Sequence, residues 1–398
     1  MTRPRRPRRP RPSSSPPASS HLLGGQARIR LRGPGDVIVA LPYHLGYQPE
    51  ESLVLVCLDG PQISFVGRID LPPDHVDPWV VVDELMPPVL RESPQRALVI
   101  AFERRRDQSE PLSSLVAGVL RDEDIEITDR LVVRDGRFWS KECTGTCCPP
   151  EGQPVPEHSQ VPAVADYVLL GRHPAANRAA LDELLRPEPG TADLLPSGLA
   201  LARRHESASR GERSALGIDR TAELQKLRRS ALTDWARLLD VRAADGGSDE
   251  TWVAIAASLR DVHLRDLVIA WLCPGTLDLA LLDPALVHLA LAILPAPMSV
   301  DGVDGVDGVD GVDGVDALSW ATAHAEVTER LMRLCRHTPL ELSPAPLTVL
   351  ANHAWWHGDG ALSRIALERG LAIEPDYRLA RLLERMVDLS IRPRGRVA

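Results

Sequence analysis

Residues 52–71 of the chain, SLVLVCLDGPQISFVGRIDL, decide the fold of its first half. Residues 52–58 are apolar after the initial serine, which predicts a buried strand. Asp59-Gly60 favours a tight turn, and residues 63–71 are rich in strand-forming residues. The segment therefore predicts a β-hairpin.

Strand and helix signals alternate around this hairpin, over residues 28 to about 160. Asp135-Gly136 separates two further strand-like runs and predicts a second hairpin. Helices are predicted at residues 34–42, 80–90 and 113–120, and Asp36 is predicted as the N-cap of the first. Strands are predicted at residues 97–102, 125–133 and 137–140. Hairpins mixed with helices indicate a mixed sheet with helices packed on it.

Beyond residue 160 the strand signals end, and apolar residues recur at helical spacing. In residues 220–242 this pattern places Trp235 on the apolar face, and in residues 251–273 it places Trp252 and Val262 inward. Further helices are predicted at 284–294, 317–336, 347–357, 361–373 and 377–389. The predicted fold class is therefore α+β, with a mixed-sheet domain over residues 28–160 and an all-helical domain over residues 161–398.

Two segments have compositions that do not support a packed core. Residues 1–20 are rich in Arg, Pro and Ser, which predicts a disordered arm. Residues 299–316 consist mainly of a repeated Val-Asp-Gly triplet and interrupt the helical domain. The triplet lacks the ligand spacing of an EF-hand, so we interpret it as a low-complexity loop between helices.

Composition narrows the class of protein. The chain has 398 residues, which suggests two domains, and its formal net charge of −9 argues against a nucleic-acid partner. No apolar run approaches the ~18 residues of a membrane span. Ser and Pro follow the N-terminal Arg residues where a signal peptide needs an apolar core. These features predict a cytoplasmic protein without a membrane partner.

Several motifs resemble an actinobacterial family of unknown function. They are VIVALPYHLGYQPEESLVLV at 37–56, GRIDLP at 67–72, DGRFWS at 135–140, CCPPEG at 147–152, WHGDG at 356–360 and PDYRLA at 375–380. The resemblance covers nearly all of residues 30–393 and implies no established activity, substrate or catalytic residue. A weaker similarity links residues 358–375 to half of a tetratricopeptide repeat. A lone unit lacks stacked neighbours, so an ordinary helical hairpin is favoured.

The cysteine loop at residues 143–152 is the first candidate site. Cys143, Cys147 and Cys148 lie close in sequence, with His158 near enough to complete a zinc site. The C-x3-C-C spacing differs from the usual C-x2-C knuckle, and there is no second cysteine pair. A structural loop is therefore favoured, while zinc binding and a reactive thiol stay as alternatives.

Polar residues around the first hairpin form the second candidate site. His44, Glu50 and Glu51 lie in a turn-rich segment before the first buried strand, where an acid, a base or a ligand could be placed. Arg68 and Asp70 end the second strand on one face, and such a pair can bind a carboxylate or phosphate. Solvated Glu residues and a surface ion pair are the alternative interpretation, which the sequence favours.

One histidine pair has the spacing of a metal site on a helix. His353 and His357 are at i and i+4, as in a zinc-protease motif, but Ala354 stands where that motif needs Glu. Aromatic core packing is the favoured interpretation. With no catalytic set evident, we expect a non-enzymatic module that binds a protein partner through its helical domain or regulates one. The alternative is a thiol- or metal-dependent enzyme that acts through loops of the first domain.

Overall fold

The structure is a computed structural model. It describes residues 31–60, 62–143, 145, 148–169, 171–210, 220–240, 247–295, 315–389 and 391. The predicted arm over residues 1–20 lies outside this part of the chain, as do residues 299–314 of the predicted loop.

Six strands form one mixed sheet, with strand order β2-β1-β3-β4-β5-β6. They are β1 (Ser52–Asp59), β2 (Gln62–Asp70), β3 (Arg96–Phe102), β4 (Glu126–Arg134), β5 (Arg137–Ser140) and β6 (Gln153–Pro154). β3 and β4 are parallel, and the other neighbouring strands are antiparallel. The mixed sheet and both predicted hairpins are thus confirmed.

Three helices belong to the sheet-containing half: α1 (Pro34–Leu45), α2 (Pro78–Glu92) and α3 (Glu110–Asp122). The prediction of Asp36 as the N-cap of α1 is wrong, because Gly33 occupies that position. Asp36 instead lies in the first turn, where it accepts hydrogen bonds from the backbone N and Nε of Arg32 at 3.0 and 2.9 Å. A carboxylate there also suits the positive end of the helix dipole.

The sheet is covered on both faces, which explains why residues 52–58 are so apolar. Side chains alternate along a strand, so Leu53 and Leu55 face one way and Val54 and Val56 the other. The leucines pack with residues of α2 and α3. The valines join a large buried cluster that extends into the helical half and includes Trp235. The division of the chain near residue 160 stays a prediction.

The second half is helical, as predicted. Its helices are α4 (Pro162–Leu169), α5 (Arg178–Glu183), α6 (Leu195–Ser209), α7 (Arg220–Leu239), α8 (Asp249–Ser258), α9 (Val262–Leu272), α10 (Pro284–Ile293), α11 (Val315–Arg336), α12 (Pro344–Trp356), α13 (Gly360–Ile373) and α14 (Arg378–Asp388). No helix in the described ranges is both long and apolar enough to cross a membrane.

The single helix predicted at 251–273 is wrong, because the chain forms α8 and α9 with a break between them. Asp261 caps α9 by accepting hydrogen bonds from the backbone N of His263 and Leu264 at 3.1 and 3.4 Å. A side chain that binds backbone N–H groups favours a helix start over a helix interior. The break turns Val262 outward, where it is 49% exposed, so its predicted inward position is also wrong.

Candidate functional site

Three histidines meet where α11 packs against α12. His353 lies on α12, His357 is the C-cap residue one turn later, and His324 comes from α11. One ring nitrogen of each residue lies within 4.8 Å of the corresponding nitrogen of the other two. His353 and His357 are buried and His324 is half-buried. We call these three residues the histidine cluster.

The three imidazole rings of the histidine cluster are in mutual contact. The ring centroids of His324 and His357 are 3.3 Å apart, with planes 19° from parallel. The ring of His353 lies 4.9 Å from that of His324 and 4.5 Å from that of His357. Protonation of all three rings would place like charges side by side in a buried setting. Neutral imidazole is the form that ligates metals.

Burial affects the pKa of His353, and one hydrogen bond indicates which of its ring nitrogens carries the proton. Burial lowers the pKa of His353 from its ordinary 6.5 to about 3, while the smaller influence of the Leu272 carbonyl acts in the opposite direction. Nε2 of His353 lies 3.3 Å from Thr328 Oγ1, and that hydroxyl donates to the backbone oxygen of His324 at 3.0 Å. Thr328 therefore accepts from Nε2–H, which leaves the lone pair on Nδ1.

His324 is the residue that sequence reasoning missed. His353 and His357 were expected to pack in an aromatic core, and Trp356 does contact the His357 ring edge-on, with ring centroids 4.6 Å apart. The i, i+4 spacing identifies two residues of a potential site but carries no information about a third on another helix. Only the packing of α11 on α12 supplies that residue.

The outward face of α14 is the second unusual feature. Ala380 and Leu383 are buried on its inner side. Its outer side carries Leu382 at 57% exposure, and the C-cap residue Leu389, at 50% exposure, continues that side. Exposed arginines share that side, at helical spacing with the two leucines. We call the five outward residues the α14 stripe: Arg378, Arg381, Leu382, Arg385 and Leu389.

The structure brings four of the five residues predicted around the first hairpin to one end of β1 and β2. Asp70 forms an ion pair with Arg68 at 2.6 Å. Glu50 and Glu51, which precede β1, lie 3.0 and 3.4 Å from the guanidinium nitrogens of Arg104. The fifth residue, His44, lies half-buried in the last turn of α1.

The three carboxylates of this charged group are exposed and paired, whereas Arg68 is largely buried and its Nε has no hydrogen-bond partner among the described residues. Glu51 also accepts a hydrogen bond from Gln108 at 2.9 Å, and Asp70 is 75% exposed. Exposed ion pairs contribute little to stability. A ligand-binding role for these residues stays a prediction.

The cysteine loop is attached to the sheet through Trp139 of β5. Trp139 Nε1 donates to the carbonyl of Pro150 at 3.0 Å, and Gly152 has a φ of +77° beside the same ring. Cys143 and Cys148 are half-buried, whereas Cys147 lies outside the described residues. These contacts give the second half of the loop a defined shape.

In the described part of the chain, the side chain of His158 contacts Tyr43. The Tyr43 hydroxyl lies 2.8 Å from His158 Nδ1, and the two rings meet edge-on. Among the described residues, the side chains close enough together to ligate a metal ion are those of the histidine cluster. This set does not include Cys143, Cys148 or His158. Zinc binding by the cysteine loop stays a prediction.

Fold and sites together define a two-part α+β protein in which a six-stranded sheet carries a helical half with a buried histidine cluster. The chain belongs to the family described as domain of unknown function (DUF4192), whose model matches residues 34–283 and 316–394. The predicted resemblance to a family of unknown function is thereby confirmed. The histidine cluster and the α14 stripe lie in the matched residues, and the Val-Asp-Gly repeat lies almost entirely between the two matched stretches. Comparison with curated proteins and with solved structures finds no match.

Proposed function

We propose that this chain is a non-enzymatic partner-binding module, and that the α14 stripe docks an acidic amphipathic helix of a partner protein. The observation that carries the proposal is the exposure of Leu382 and Leu389 in one line with three arginines. Large apolar side chains grouped on a helix face, with charges beside them, are typical of helix-binding surfaces.

The chemistry of the α14 stripe selects the kind of helix that fits it. A helix laid along α14 would cover the two leucine side chains with its own apolar positions. The arginines beside them carry planar guanidinium groups, which can bind carboxylates through two parallel hydrogen bonds. One of them, Arg381, pairs with the exposed Asp376 at 3.2 Å, a weak surface pair that a partner carboxylate could replace. A basic helix would meet like charge, so charge complementarity favours a partner rich in Glu and Asp.

Binding of two synthetic helical peptides to the full-length protein tests this proposal. Both peptides carry leucine at i, i+3 and i+7, and their remaining positions are Glu in one and Lys in the other. Fluorescence anisotropy is expected to show saturable binding of the Glu peptide, at least about tenfold tighter than that of the Lys peptide. Raising the salt concentration should weaken this preference, because exposed charges are screened.

Variants on α14 give the matched controls. Leu382→Asp, and Arg378→Glu combined with Arg385→Glu, should each weaken binding of the Glu peptide at least about tenfold. Leu281→Asp changes a more exposed leucine, at 76%, and should leave binding unaltered. Equal affinity for both peptides, or unchanged binding by Leu382→Asp, would contradict the proposal. So would binding to anionic phospholipid vesicles in place of the Glu peptide.

A further inference from the structure

The geometry points to a binding site for a divalent transition metal ion, with Zn²⁺ as the reference ion, formed by His324, His353 and His357. This inference is independent of the partner-binding surface on α14. It is also distinct from the cysteine loop, because it uses other residues in the other half of the chain. Three imidazoles supply the ligand number of an open zinc site, which keeps a fourth position for water or another group.

The chemistry of the donors selects the class of ion. Imidazole nitrogen suits Zn²⁺, Co²⁺, Ni²⁺ and Cu²⁺, whereas Mg²⁺ and Ca²⁺ require oxygen ligands. Metal ions bind the neutral form of imidazole, and His353 and His357 lie buried in the interior with their rings in contact. His324 is half-buried, so the cluster can be reached from solvent on its side.

The distances between the ring nitrogens of the histidine cluster are close to those of a zinc site, so rotation of the side chains would bring them into place. Bonds of about 2.0–2.1 Å in a tetrahedral site place ligand nitrogens about 3.4 Å apart. The nitrogens of the histidine cluster already lie within 4.8 Å of one another, without an ion. The rings of His324 and His357 are stacked, so a common ion requires them to turn about their side-chain bonds.

Thr328 supplies the outer contact that metal-bound histidines usually have. It accepts from Nε2–H of His353 and directs the lone pair of Nδ1 away from the hydroxyl. Within the described part of the chain, no atom makes a hydrogen bond of good geometry to the buried Nδ1 of His353, and the Leu272 carbonyl interacts only weakly with this ring. A buried ring nitrogen without a partner is costly unless it binds something. A metal ion would satisfy it.

Calorimetric titration of the chelator-treated full-length protein with Zn²⁺ tests the site. We expect one equivalent to bind per chain. His324→Gln, at the most accessible position of the cluster, should lower the affinity at least about 100-fold. His288→Gln, which changes an exposed histidine on α10, is the matched control and should not change it. Thr328→Val should lower the affinity about 10–100-fold, and Thr328→Ser, which retains the hydroxyl, should restore it.

Co²⁺ provides a second measurement that does not depend on whether variants fold. The wild-type protein with one equivalent of Co²⁺ should show visible absorption typical of four-coordinate cobalt with nitrogen ligands and without sulfur charge-transfer bands. Loss of metal in Cys148→Ser together with retention in His324→Gln would assign the ion to the cysteine loop and overturn the inference. Failure of the wild-type protein to bind Zn²⁺ or Co²⁺ stoichiometrically would overturn it as well.

Discussion

Arg228 and Asp261 form an ion pair that is almost completely withdrawn from water. Arg228 Nε lies 2.7 Å from Asp261 Oδ2, and the two side chains are 6% and 0% exposed. Nη1 of the same guanidinium lies 2.7 Å from Asp283 Oδ2. Asp261 caps α9 and Asp283 caps α10, so one side chain of α7 connects the beginnings of two other helices.

Replacement of Arg228 by Met should destabilise the protein by about 3–5 kcal/mol, because Asp261 would stay buried without its cation. Arg237→Met is the matched control on the same helix. Its ion pair with Asp234 involves an arginine that is 71% exposed, so little change is expected. Denaturant unfolding measures both values. A loss of less than about 1 kcal/mol for Arg228→Met would show that the pair is not important for the helical half.

Trp235→Ala should lower the free energy of unfolding by about 3–5 kcal/mol, as truncations of large core aromatic residues do. Trp235 is fully buried in the cluster that joins the sheet to the helices. Trp79→Ala removes a similar side chain that is 48% exposed, and its effect should be much smaller. Equal denaturation midpoints for the two variants would contradict the assigned core.

Gly152→Ala should destabilise the cysteine loop more than Gly136→Ala does. Both glycines have positive φ, at +77° and +69°, so both variants incur the backbone cost. A Cβ on Gly152 would also lie 2.5 Å from Trp139, whereas one on Gly136 would meet nothing within 4 Å. We expect an additional loss of about 1–3 kcal/mol for Gly152→Ala, measured by thermal unfolding. Equal losses would show that the loop moves away from Trp139 freely.

His205 should contribute to destabilisation in acid. Burial lowers its pKa from 6.5 to about 4; nearby Asp261 acts to raise the pKa, and Arg204 and Arg228 act to lower it. Between about pH 6.5 and 4 the unfolded state therefore binds a proton that the folded state does not. The contribution is fully present above pH 6.5 and is lost as the pH falls, by up to about 1.4 kcal/mol per pH unit.

Denaturant unfolding from pH 7 to 4 of wild type, His205→Gln and His75→Gln measures this contribution. His205→Gln should show a shallower loss of stability with falling pH than the wild type. His75→Gln changes an exposed histidine and should follow the wild-type slope. If stability falls with pH at the same slope in all three proteins, His205 does not contribute to the destabilisation in acid.

The elements that local pattern specifies were predictable from sequence. Residues 52–58 are apolar on both faces of a strand, and the turn at Asp59-Gly60 needs positive φ, so the first hairpin was predictable from a short segment. The apolar spacing on α7 likewise identified Trp235 as a core residue. Such patterns involve residues that are close in sequence. The helix or strand that they predict therefore forms in any fold that buries the same face.

The sites depend on contacts between distant segments, which a single sequence does not specify. Apolar spacing continues through residues 258–262, but Asp261 begins a new helix because Arg228 from α7 neutralises it in the interior. The spacing of His353 and His357 was visible in the sequence, yet the third histidine is supplied by α11. The sequence alone determined five of the six strands, the helical half and the i, i+4 histidine pair, because each follows from a local pattern of residues. Only the tertiary structure decided that His324 joins that pair, since helix packing places side chains together by burying apolar faces.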